Sequence, residues 1–326
     1  MKTKILTILH ESDGYTSGQQ LCSMLGVSRT AIWKVMGQLK EEGYEIEAVQ
    51  NKGYKLIYAP DILSESEIKS GMHTEWAGQT VVYKEETGST NNDCKRLLVE
   101  GMVHGTLVVA DRQTSGKGRR GRNWISPPGS SIYMTLGLKP NFLPDKASML
   151  TLVMALAVCK AIEEETKLET QIKWPNDIVV NKKKVCGILT EMDVESDYIN
   201  SVVIGVGINV NQEQFEDEIV ETATSLKLEK GETVNRAKII QSIMTNFECY
   251  YEKFVAEGNL SPIMGEYNAK LANYNAQVRV LDPQGEYEGT AQGINELGEL
   301  LVTRTDGTVV NVYAGEVSVR GIYGYV

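Results

Sequence analysis

The first 60 residues show a helical hydrophobic period followed by a strand period. Apolar residues recur at helical spacing in three short segments, residues 3–10, 17–25 and 29–42. Two strand-like runs follow, and Asn51-Lys52-Gly53 between them has the composition of a tight hairpin with a basic tip. Helix, turn, helix and basic hairpin in this order predict a winged helix-turn-helix domain over residues 1–60.

The third helical segment has an apolar stripe through Ile32, Val35 and Leu39, and its other face is polar and basic. Such a face suits the DNA major groove. The residues expected to contact DNA are Ser17, Gln19, Ser28, Arg29, Thr30, Trp33, Lys34 and Lys52. A small helical domain without a nucleic-acid role is the alternative that this pattern leaves open.

Beyond Pro60-Asp61 the hydrophobic pattern alternates between strand and helix periods. The strands that it predicts are 80–86, 106–112, 131–138, 171–180, 184–192 and 199–210. The long helices that it predicts are 91–100, 147–166 and 235–257. This alternation predicts a central mixed α/β domain over residues 61–270.

From residue 271 the pattern changes to short strands separated by turns. The predicted strands are 276–281, 287–294, 299–305 and 309–319. Short strands at this spacing are typical of a small barrel, so residues 271–326 are predicted to form a C-terminal β-barrel. The chain as a whole is predicted to be a multidomain α+β protein.

Composition favours a globular protein of the cytoplasm. Hydrophobic residues make up 42% and charged residues 23% of the chain, which is the globular range. No apolar run approaches the ~20 residues of a membrane span, and the N-terminus lacks the pattern of a signal peptide. The five cysteines are scattered without a CxxC pair, which favours reduced thiols. The three distant histidines argue against a structural zinc site.

The net charge of −10 is unevenly distributed along the chain. Residues 1–60 contain nearly equal numbers of basic and acidic residues, so the acidic excess lies in the remainder. An acidic protein with one non-acidic end can bind DNA through that end. Its affinity is then expected to depend strongly on salt and on dimerisation.

The segment from Gln113 to Trp124 combines three glycines with four cations. It contains G-x-G-x-x-G, but Ser126-Pro-Pro-Gly129 forbids the helix that a dinucleotide-binding fingerprint requires. We therefore expect a loop whose glycines let the backbone curl around a ligand and whose cations neutralise phosphate. A solvated basic loop and a nucleic-acid patch are alternatives that this segment alone leaves open.

Further motifs accompany this loop: Gly88-Ser89-Thr90-Asn91, Lys173-Trp174-Pro175-Asn176-Asp177, Lys184–Leu189, Gly205–Val210 and Ala314–Arg320. Taken singly, they fit a helix cap, a turn or a buried strand with close backbone contact. Together and in this order they resemble the biotin–protein ligase family, specifically its bifunctional members with an N-terminal winged helix. The resemblance covers essentially the whole chain. Lys117 is a departure from the family pattern, because arginine is commoner at this position of the loop. Lysine keeps the positive charge, but it cannot form the paired hydrogen bonds by which an arginine grips phosphate.

The resemblance implies an enzyme that joins biotin to ATP as biotinyl-5′-adenylate, with Mg²⁺ accompanying ATP. The enzyme would then pass biotin to a lysine of the biotin carboxyl carrier protein of acetyl-CoA carboxylase. The resemblance also implies an SH3-like C-terminal barrel and a homodimer that binds operator DNA and represses biotin genes when adenylate is bound. Two anions must meet in such a reaction, so fixed cations are the main catalytic requirement.

By position in the motifs, the resemblance assigns catalytic roles to Lys184, Arg119 and Asp177, the last for orienting or deprotonating the incoming lysine. The contacts that it implies for biotin and the adenylate are Ser89, Thr90, Asn91, Gln113, Gly116, Lys117, Gly118, Arg119, Arg120, Arg122, Trp124, Lys184 and Gly187. The contacts that it implies for ATP are Lys173, Asn176, Asn209 and Arg320. No protein-bound metal site is expected.

Two other classes share parts of this pattern. A transcription factor that senses a small molecule would combine a winged helix with a ligand domain, but it would not need Lys173, Lys184 and the cationic loop together. A lipoate ligase would share the central architecture, and it is expected to lack both the winged helix and the Gly-Lys-Gly-Arg-Arg-Gly run.

Overall fold

The computed structural model describes residues 1–195, 198–282, 285–314 and 318–321. The N-terminal elements are α1 (Lys2–Glu11), α2 (Gly18–Leu25), α3 (Arg29–Glu41), β1 (Glu45–Val49) and β2 (Gly53–Tyr58). Strands β1 and β2 pair antiparallel. The predicted helix-turn-helix and its hairpin are therefore confirmed.

Local sequence explains why these helices begin where they do. The Ser17 hydroxyl accepts from the Gln20 amide, and the Ser17 amide donates to the Gln20 side chain, which is a reciprocal capping box for α2. Ser28 caps α3 by accepting from the Ala31 amide. The apolar stripe of α3 is buried in a small core that it shares with α1, α2 and the hairpin.

The central elements continue with α4 (Glu65–Ser70), β3 (Val81–Thr87), α5 (Thr90–Val99), β4 (Thr106–Gln113), β5 (Ser131–Leu138), α6 (Met149–Thr166), β6 (Gln171–Lys173), β7 (Asp177–Val180), β8 (Lys183–Glu195), β9 (Tyr198–Asn209), α7 (Leu226–Lys230), α8 (Arg236–Glu257) and α9 (Ser261–Lys270). Within the described residues the strands form a seven-stranded sheet in the order β3-β4-β5-β9-β8-β7-β6. Strands β3 and β4 pair in parallel and the other neighbours pair antiparallel. Helix α6 is buried along most of its length and packs against α8 and the sheet.

The single strand predicted over residues 171–180 is wrong. The structure has two strands there, β6 and β7, in which Lys173 pairs with Asp177 across a turn. Pro175 lies in that turn, and proline has no amide proton to give to a strand ladder. The chain therefore reverses at the motif, and this reversal places Asn176 at the edge of the pocket described below.

The C-terminal strands are β10 (Ala276–Leu281), β11 (Tyr287–Ile294), β12 (Leu300–Arg304), β13 (Val309–Val312) and β14 (Ser318–Gly321). The described residues form one antiparallel sheet in the order β13-β12-β11-β10-β14. The single strand predicted over 309–319 is thus wrong, because β13 and β14 occupy opposite edges of this sheet. No pairing joins these edges in the described residues, so a closed barrel is not observed. The buried residues of the sheet belong to the same apolar cluster as the central core.

Arg236, the first residue of α8, ties distant segments together. Its side chain is 3% exposed and forms ion pairs of 2.9 Å with both Asp61 and Asp111. The other oxygen of the Asp111 carboxylate accepts a hydrogen bond of 2.9 Å from the Gly129 amide. The segment after the winged helix, the start of α8 and the chain entering β5 therefore meet at one buried guanidinium.

A second junction joins α4 to the winged helix. The Tyr44 hydroxyl donates to the buried Glu67 carboxylate at 2.7 Å, and His10 Nε2 lies 3.2 Å from the same carboxylate. No helix in the described part of the chain combines the length and apolar character needed to cross a membrane.

Candidate active site

A pocket lies against the central sheet, where β8 and β9 face the start of α5 and the loop after β4. The predicted residues that line it are Ser89, Thr90, Asn91, Gln113, Lys117, Gly118, Arg119, Trp124, Asn176, Lys184 and Gly187. Residues far apart in the sequence are therefore brought together as the motifs predicted. The lining residues that sequence reasoning did not single out as contacts are Met134, Ile188, Leu189, Gly205, Val206 and Gly207.

The N-terminus of α5 forms one polar wall of the pocket. The side-chain oxygen of Gln113, Oε1, accepts hydrogen bonds from the Thr90 backbone amide at 2.9 Å and from the Thr90 hydroxyl at 3.1 Å. The Gln113 side-chain nitrogen lies 3.1 Å from the Ser126 hydroxyl, which in turn donates to the Trp124 carbonyl at 2.9 Å. Gln113 thus links the helix terminus to the loop that carries Trp124.

Two glycines give the indole of Trp124 room to lie on the sheet. Gly187 and Gly207 are directly paired across β8 and β9. A Cβ atom at Gly207 would lie 2.6 Å from the indole Cε2, and one at Gly187 would lie 2.9 Å from Cζ3. The indole nitrogen is buried and makes no hydrogen bond within the described part of the chain. Buried donors normally have partners, so this N–H is a candidate donor to a ligand.

Cationic side chains converge on the same pocket. Lys184 Nζ lies 2.7 Å from Asp177 Oδ1 and 5.3 Å from the centre of the Trp124 ring. The Arg119 guanidinium donates to Asn176 Oδ1 at 2.9 Å and to the Ala314 carbonyl at 2.6 Å. Burial lowers the pKa of Arg119, and the Asp177 charge opposes that shift. An arginine nevertheless keeps its proton in proteins, so Arg119 and Lys184 both bring positive charge to a pocket that Lys117 also lines.

The cationic loop is ordered by its own backbone. Lys117 forms an isolated bridge with Asn123, and the Trp124 amide donates to the Gly116 carbonyl at 2.9 Å. A Cβ atom at Gly116 would lie 2.4 Å from the Trp124 carbonyl oxygen, which explains the need for glycine there. Three predicted contacts of this loop, Gly116, Arg120 and Arg122, are not among the residues that line the pocket.

The predicted ATP contacts separate into three groups. Asn176 lines the pocket. Lys173 and Asn209 are both 8% exposed and do not line it, and the Asn209 side chain donates to the Thr224 carbonyl at 3.1 Å. Arg320 is a residue of β14, but its side chain lies outside the described residues, as do residues 315–317 of the Ala314–Arg320 motif.

The predicted DNA-binding residues occupy the surface of the winged helix. The α3 residues Arg29, Thr30, Trp33 and Lys34 are exposed, Trp33 to 71%. Ser17, Ser28 and Gln19 serve local structure, the first two as helix caps and Gln19 by accepting from Arg29 at 3.0 Å. Lys52 at the hairpin tip lies 5.5 Å from the centre of the Tyr15 ring. An exposed aromatic and two cations on one helix form a surface suited to DNA.

The described residues contain no group of three or more histidine, cysteine, aspartate or glutamate side chains that could hold a metal ion. All five cysteines are free thiols. The side chains at the pocket offer electrostatic stabilisation, because three cations and the Asp177 carboxylate lie beside neutral hydrogen-bonding groups and an apolar surface.

Three family models match the chain. They are the Biotin/lipoate A/B protein ligase family over residues 83–209, an HTH domain over residues 2–55 and the Biotin protein ligase C terminal domain over residues 275–320. The first match spans β3 to β9, which supply most of the pocket.

Full-length relatives agree with these models. The bifunctional ligase/repressor BirA of Bacillus subtilis is 43% identical over 305 residues, 93% of this chain and 93% of the relative. Its namesake from Escherichia coli is 29% identical over 318 residues, 97% of this chain and 96% of the relative. The structure of biotin protein ligase from Aquifex aeolicus in complex with biotin and ATP is similar with a TM-score of 0.66 and 31% identity, covering 74% of this chain and 99% of that chain.

The resemblance drawn from the motifs is therefore confirmed. Both the ligase region and the helix-turn-helix region have counterparts in relatives that match along almost their whole length. The chain belongs to the biotin–protein ligase family, within the group of bifunctional ligase/repressor proteins.

Proposed function

We propose that this protein ligates biotin, through biotinyl-5′-AMP, to a lysine of a biotin carboxyl carrier protein. The observation that carries the proposal is that one pocket offers two kinds of surface, one charged and one apolar. Lys184 and Arg119 supply positive charge, while Trp124 lies flat over paired glycines beside Met134 and other apolar residues. Biotin has the matching division, with a carboxylate at one end of an apolar chain and a fused ring at the other.

In the first proposed step, a biotin carboxylate oxygen attacks the α-phosphorus of ATP and the bond to pyrophosphate breaks. Both reactants are anions, so the barrier falls when fixed cations stabilise the charge that develops. Lys184 and Arg119 would fill this role. Because Lys184 is already paired with Asp177 at 2.7 Å, its ammonium is held in place before substrate arrives.

We assign biotin recognition to the wall at the start of α5. Ser89, Thr90, Asn91 and Gln113 offer hydroxyl and amide groups there, and the ureido ring of biotin both donates and accepts hydrogen bonds. The remaining contacts in this proposal are Gly187 of β8 and, from the loop, Gly116, Lys117, Gly118, Arg120 and Arg122. Since Gly116, Arg120 and Arg122 do not line the pocket, they would contact the adenylate only after a movement of the loop.

ATP would be bound by Asn176 together with Lys173, Asn209 and Arg320. Mg²⁺ prefers phosphate oxygens and retained waters to a cage of protein ligands. The lack of a metal-ligand cluster among the described residues is compatible with a Mg²⁺ ion that enters on ATP and shields its phosphates. No step below depends on that ion.

In the second proposed step, the amine of a carrier lysine attacks the acyl carbon of the adenylate, and AMP leaves. The amine must lose a proton, and Asp177, which is paired with Lys184, would accept it or orient the amine. Incubation with ATP, biotin and a carrier domain, followed by intact mass, tests the whole reaction. A carrier heavier by one biotin is expected, and an unmodified carrier beside a folded, ATP-binding protein would contradict the proposal.

Lipoate ligation is the second enzymatic possibility, because the matching family model covers biotin and lipoate ligases alike. The full-length relatives that match are named for biotin or as ligase/repressor proteins, which favours biotin. Pyrophosphate release measured with biotin and then with lipoate separates the two functions. It also excludes a sensor without catalysis, which would release none.

We further propose that the adenylate-bound protein forms a homodimer and represses biotin genes by binding a palindromic operator. Two copies of the exposed α3 face would then meet two half-sites. The Asp61, Asp111 and Arg236 junction supports coupling between the ligand loop and the winged helix. The domain limits 1–60, 61–270 and 271–326, a closed SH3-like barrel and a cytoplasmic location belong to the same proposal.

A further inference from the structure

Glu191 lies on β8 beyond the pocket and is not among the residues that line it. Its carboxylate accepts two hydrogen bonds from successive turns of α5. Asn91 Nδ2 donates to one oxygen at 2.7 Å, and Lys95 Nζ donates to the other at 2.6 Å. Partial burial opposes ionisation, but these hydrogen bonds outweigh it and lower the pKa of Glu191. The side chain is therefore a carboxylate at neutral pH, and it accepts hydrogen bonds only.

An acceptor-only partner fixes which way the Asn91 amide points. Asn91 is 5% exposed, and its nitrogen donates to Glu191 at 2.7 Å and makes a longer contact of 3.4 Å with the Leu189 carbonyl. Its oxygen then faces Thr135, whose hydroxyl donates to it at 2.6 Å. The amide lies directly over Gly205, where a Cβ atom would be 2.2 Å from the Asn91 oxygen. The absence of a side chain at Gly205 therefore makes room for the Asn91 amide group. The group could lie there with its oxygen and nitrogen in either order, and the bond to Glu191 favours the observed order.

The orientation of Asn91 sets the direction of hydroxyl protons along the pocket wall. Thr135 has a single hydroxyl proton, and it is committed to the Asn91 oxygen. Thr90 Oγ1 lies 2.8 Å from Thr135 Oγ1 and 3.1 Å from the Gln113 side-chain oxygen. Thr90 also has one hydroxyl proton, which it donates to one of these two oxygens. With the amide reversed, Thr135 would receive a proton from Asn91 and give its own to Thr90.

We infer that Glu191 is a positioning residue for the cyclic urea of biotin, acting through Asn91. Removing its carboxylate leaves only the 3.4 Å contact with the Leu189 carbonyl on the nitrogen side, so the reversed orientation of the Asn91 amide becomes accessible. The hydroxyl of Thr90, which lines the pocket, would then present a different arrangement of proton and lone pairs to the ligand. This inference rests on the proposed function, because it takes biotin as the ligand of that wall.

The test compares two side chains of similar size at position 191 in the full-length protein. Glu191→Gln keeps an oxygen that accepts from Asn91, whereas Glu191→Met has no such acceptor. Lys95→Met is the matched control, because it removes the ion pair and leaves the bond from Asn91 intact. KM for biotin, KM for ATP and kcat are measured from pyrophosphate release, and Tm is measured in parallel.

Glu191→Met is expected to raise KM for biotin about ten-fold or more, the scale of one hydrogen bond to a charged group. KM for ATP and kcat should change by no more than about two-fold on the same scale. Glu191→Gln should recover most of the lost affinity, and Lys95→Met should stay close to wild type. If Glu191→Met fails to fold, as its Tm would show, Glu191→Ala takes its place.

Two results would overturn the inference. One is an unchanged KM for biotin in a folded Glu191→Met protein. The other is an equal loss in Glu191→Met, Glu191→Gln and Lys95→Met, which would point to the charge pair and not to the Asn91 orientation. If the wild-type protein released no pyrophosphate with biotin, the proposed function would fail instead, so the two failures can be told apart.

Discussion

Lys184 and Asp177 form a 2.7 Å ion pair between neighbouring strands, on the face where Trp124 covers the sheet. A bulge makes this pair possible. The register of β7 and β8 shifts between Ile178 and Val179, and Lys184 Nζ lies 3.1 Å from where a Cβ of Gly187 would be. Residues three apart in a regular strand point to opposite faces, so the bulge brings Lys184 to the pocket side.

Lys184→Ala is expected to reduce adenylate formation about 100- to 1000-fold, the loss typical of one preorganised donor at a site of developing charge. Stability should change little, because Asp177 keeps a hydrogen bond from Asn176 at 3.0 Å. The measurement is biotin-dependent pyrophosphate release beside a melting curve. Lys182→Ala, at an exposed neighbour, is the control. Near-normal release from folded Lys184→Ala would refute the role.

Asp177→Asn separates the two chemical steps. The asparagine oxygen can still accept from Lys184, so pyrophosphate release should remain near the wild-type rate. An amide cannot accept the proton of an attacking lysine, and loss of a general base costs roughly a hundred-fold or more. Single-turnover transfer from preformed adenylate to the carrier domain measures the second step alone. Equal slowing of both steps would show that Asp177 acts mainly by holding Lys184.

Arg119→Gly is expected to yield a ligase that forms the adenylate but releases it early. Arg119 joins the loop to Asn176 and Ala314, and it is proposed to pair with the adenylate phosphate. A charge-assisted hydrogen bond is worth roughly 1.5–3 kcal/mol, about ten- to a hundred-fold in retention, and glycine also makes the open loop more flexible.

Mixing Arg119→Gly with ATP, biotin and an unrelated lysine-rich protein measures the leak. Biotin should appear on the bystander lysines, and operator binding should weaken in parallel if, as proposed, it requires the adenylate-bound loop. Arg119→Lys keeps the charge and should label the bystander less. An unlabelled bystander, with adenylate dissociating no faster than from wild type, would contradict the proposed role of Arg119 in retaining the adenylate.

Gly207→Ala should weaken biotin binding by displacing Trp124. The added methyl group would lie 2.6 Å from the indole, and overpacking of this kind typically costs about 1–3 kcal/mol. We expect a higher KM for biotin and a lower Tm. Gly265→Ala, in α9 with nothing within 4 Å of the added atom, is the control and should not lower Tm. A variant with wild-type KM would mean that the indole does not rest on this glycine when biotin is bound.

Deleting residues 1–56 should abolish operator binding and leave ligase activity, because the lining residues of the pocket begin at Ser89. Removal of Tyr44 and His10 takes two partners from the Glu67 carboxylate, so a lower Tm is expected as well. Electrophoretic mobility shift with operator DNA, beside biotin transfer to the carrier, measures both functions. Unchanged operator affinity in the shortened protein would refute the DNA-binding assignment to the winged helix.

Sequence reasoning succeeded where local patterns decide the structure. The helices of the winged domain follow from a 3.6-residue period and from Ser17 and Ser28 as caps. The long central strands follow from apolar runs, and the cationic loop follows from glycines with a Pro-Pro stop. These signals lie within a few residues of the feature that they predict.

The missed features depend on contacts between distant residues. The bulge beside Lys184 is a property of strand pairing, so motif spacing alone could not place Lys184 and Gly187 on one face. Glu191 lies outside the recognised motifs, and its importance appears only when Asn91, one hundred residues earlier, is seen to bind it. The α9 helix was also missed, although Pro262 stands at its start, where proline is favoured.

The salt bridges of Arg236 determine where a shortened protein should begin. Asp61 follows the winged helix directly, yet its carboxylate is bound to Arg236. A fragment that starts at Asp61 would gain an α-ammonium group on that same residue, charged at neutral pH because its pKa is about 7.7–8.0. This new cation would repel the guanidinium and compete for the carboxylate. A ligase fragment made from residue 57 keeps the chain terminus away from Asp61, and Ile57 and Tyr58 are already more than half exposed.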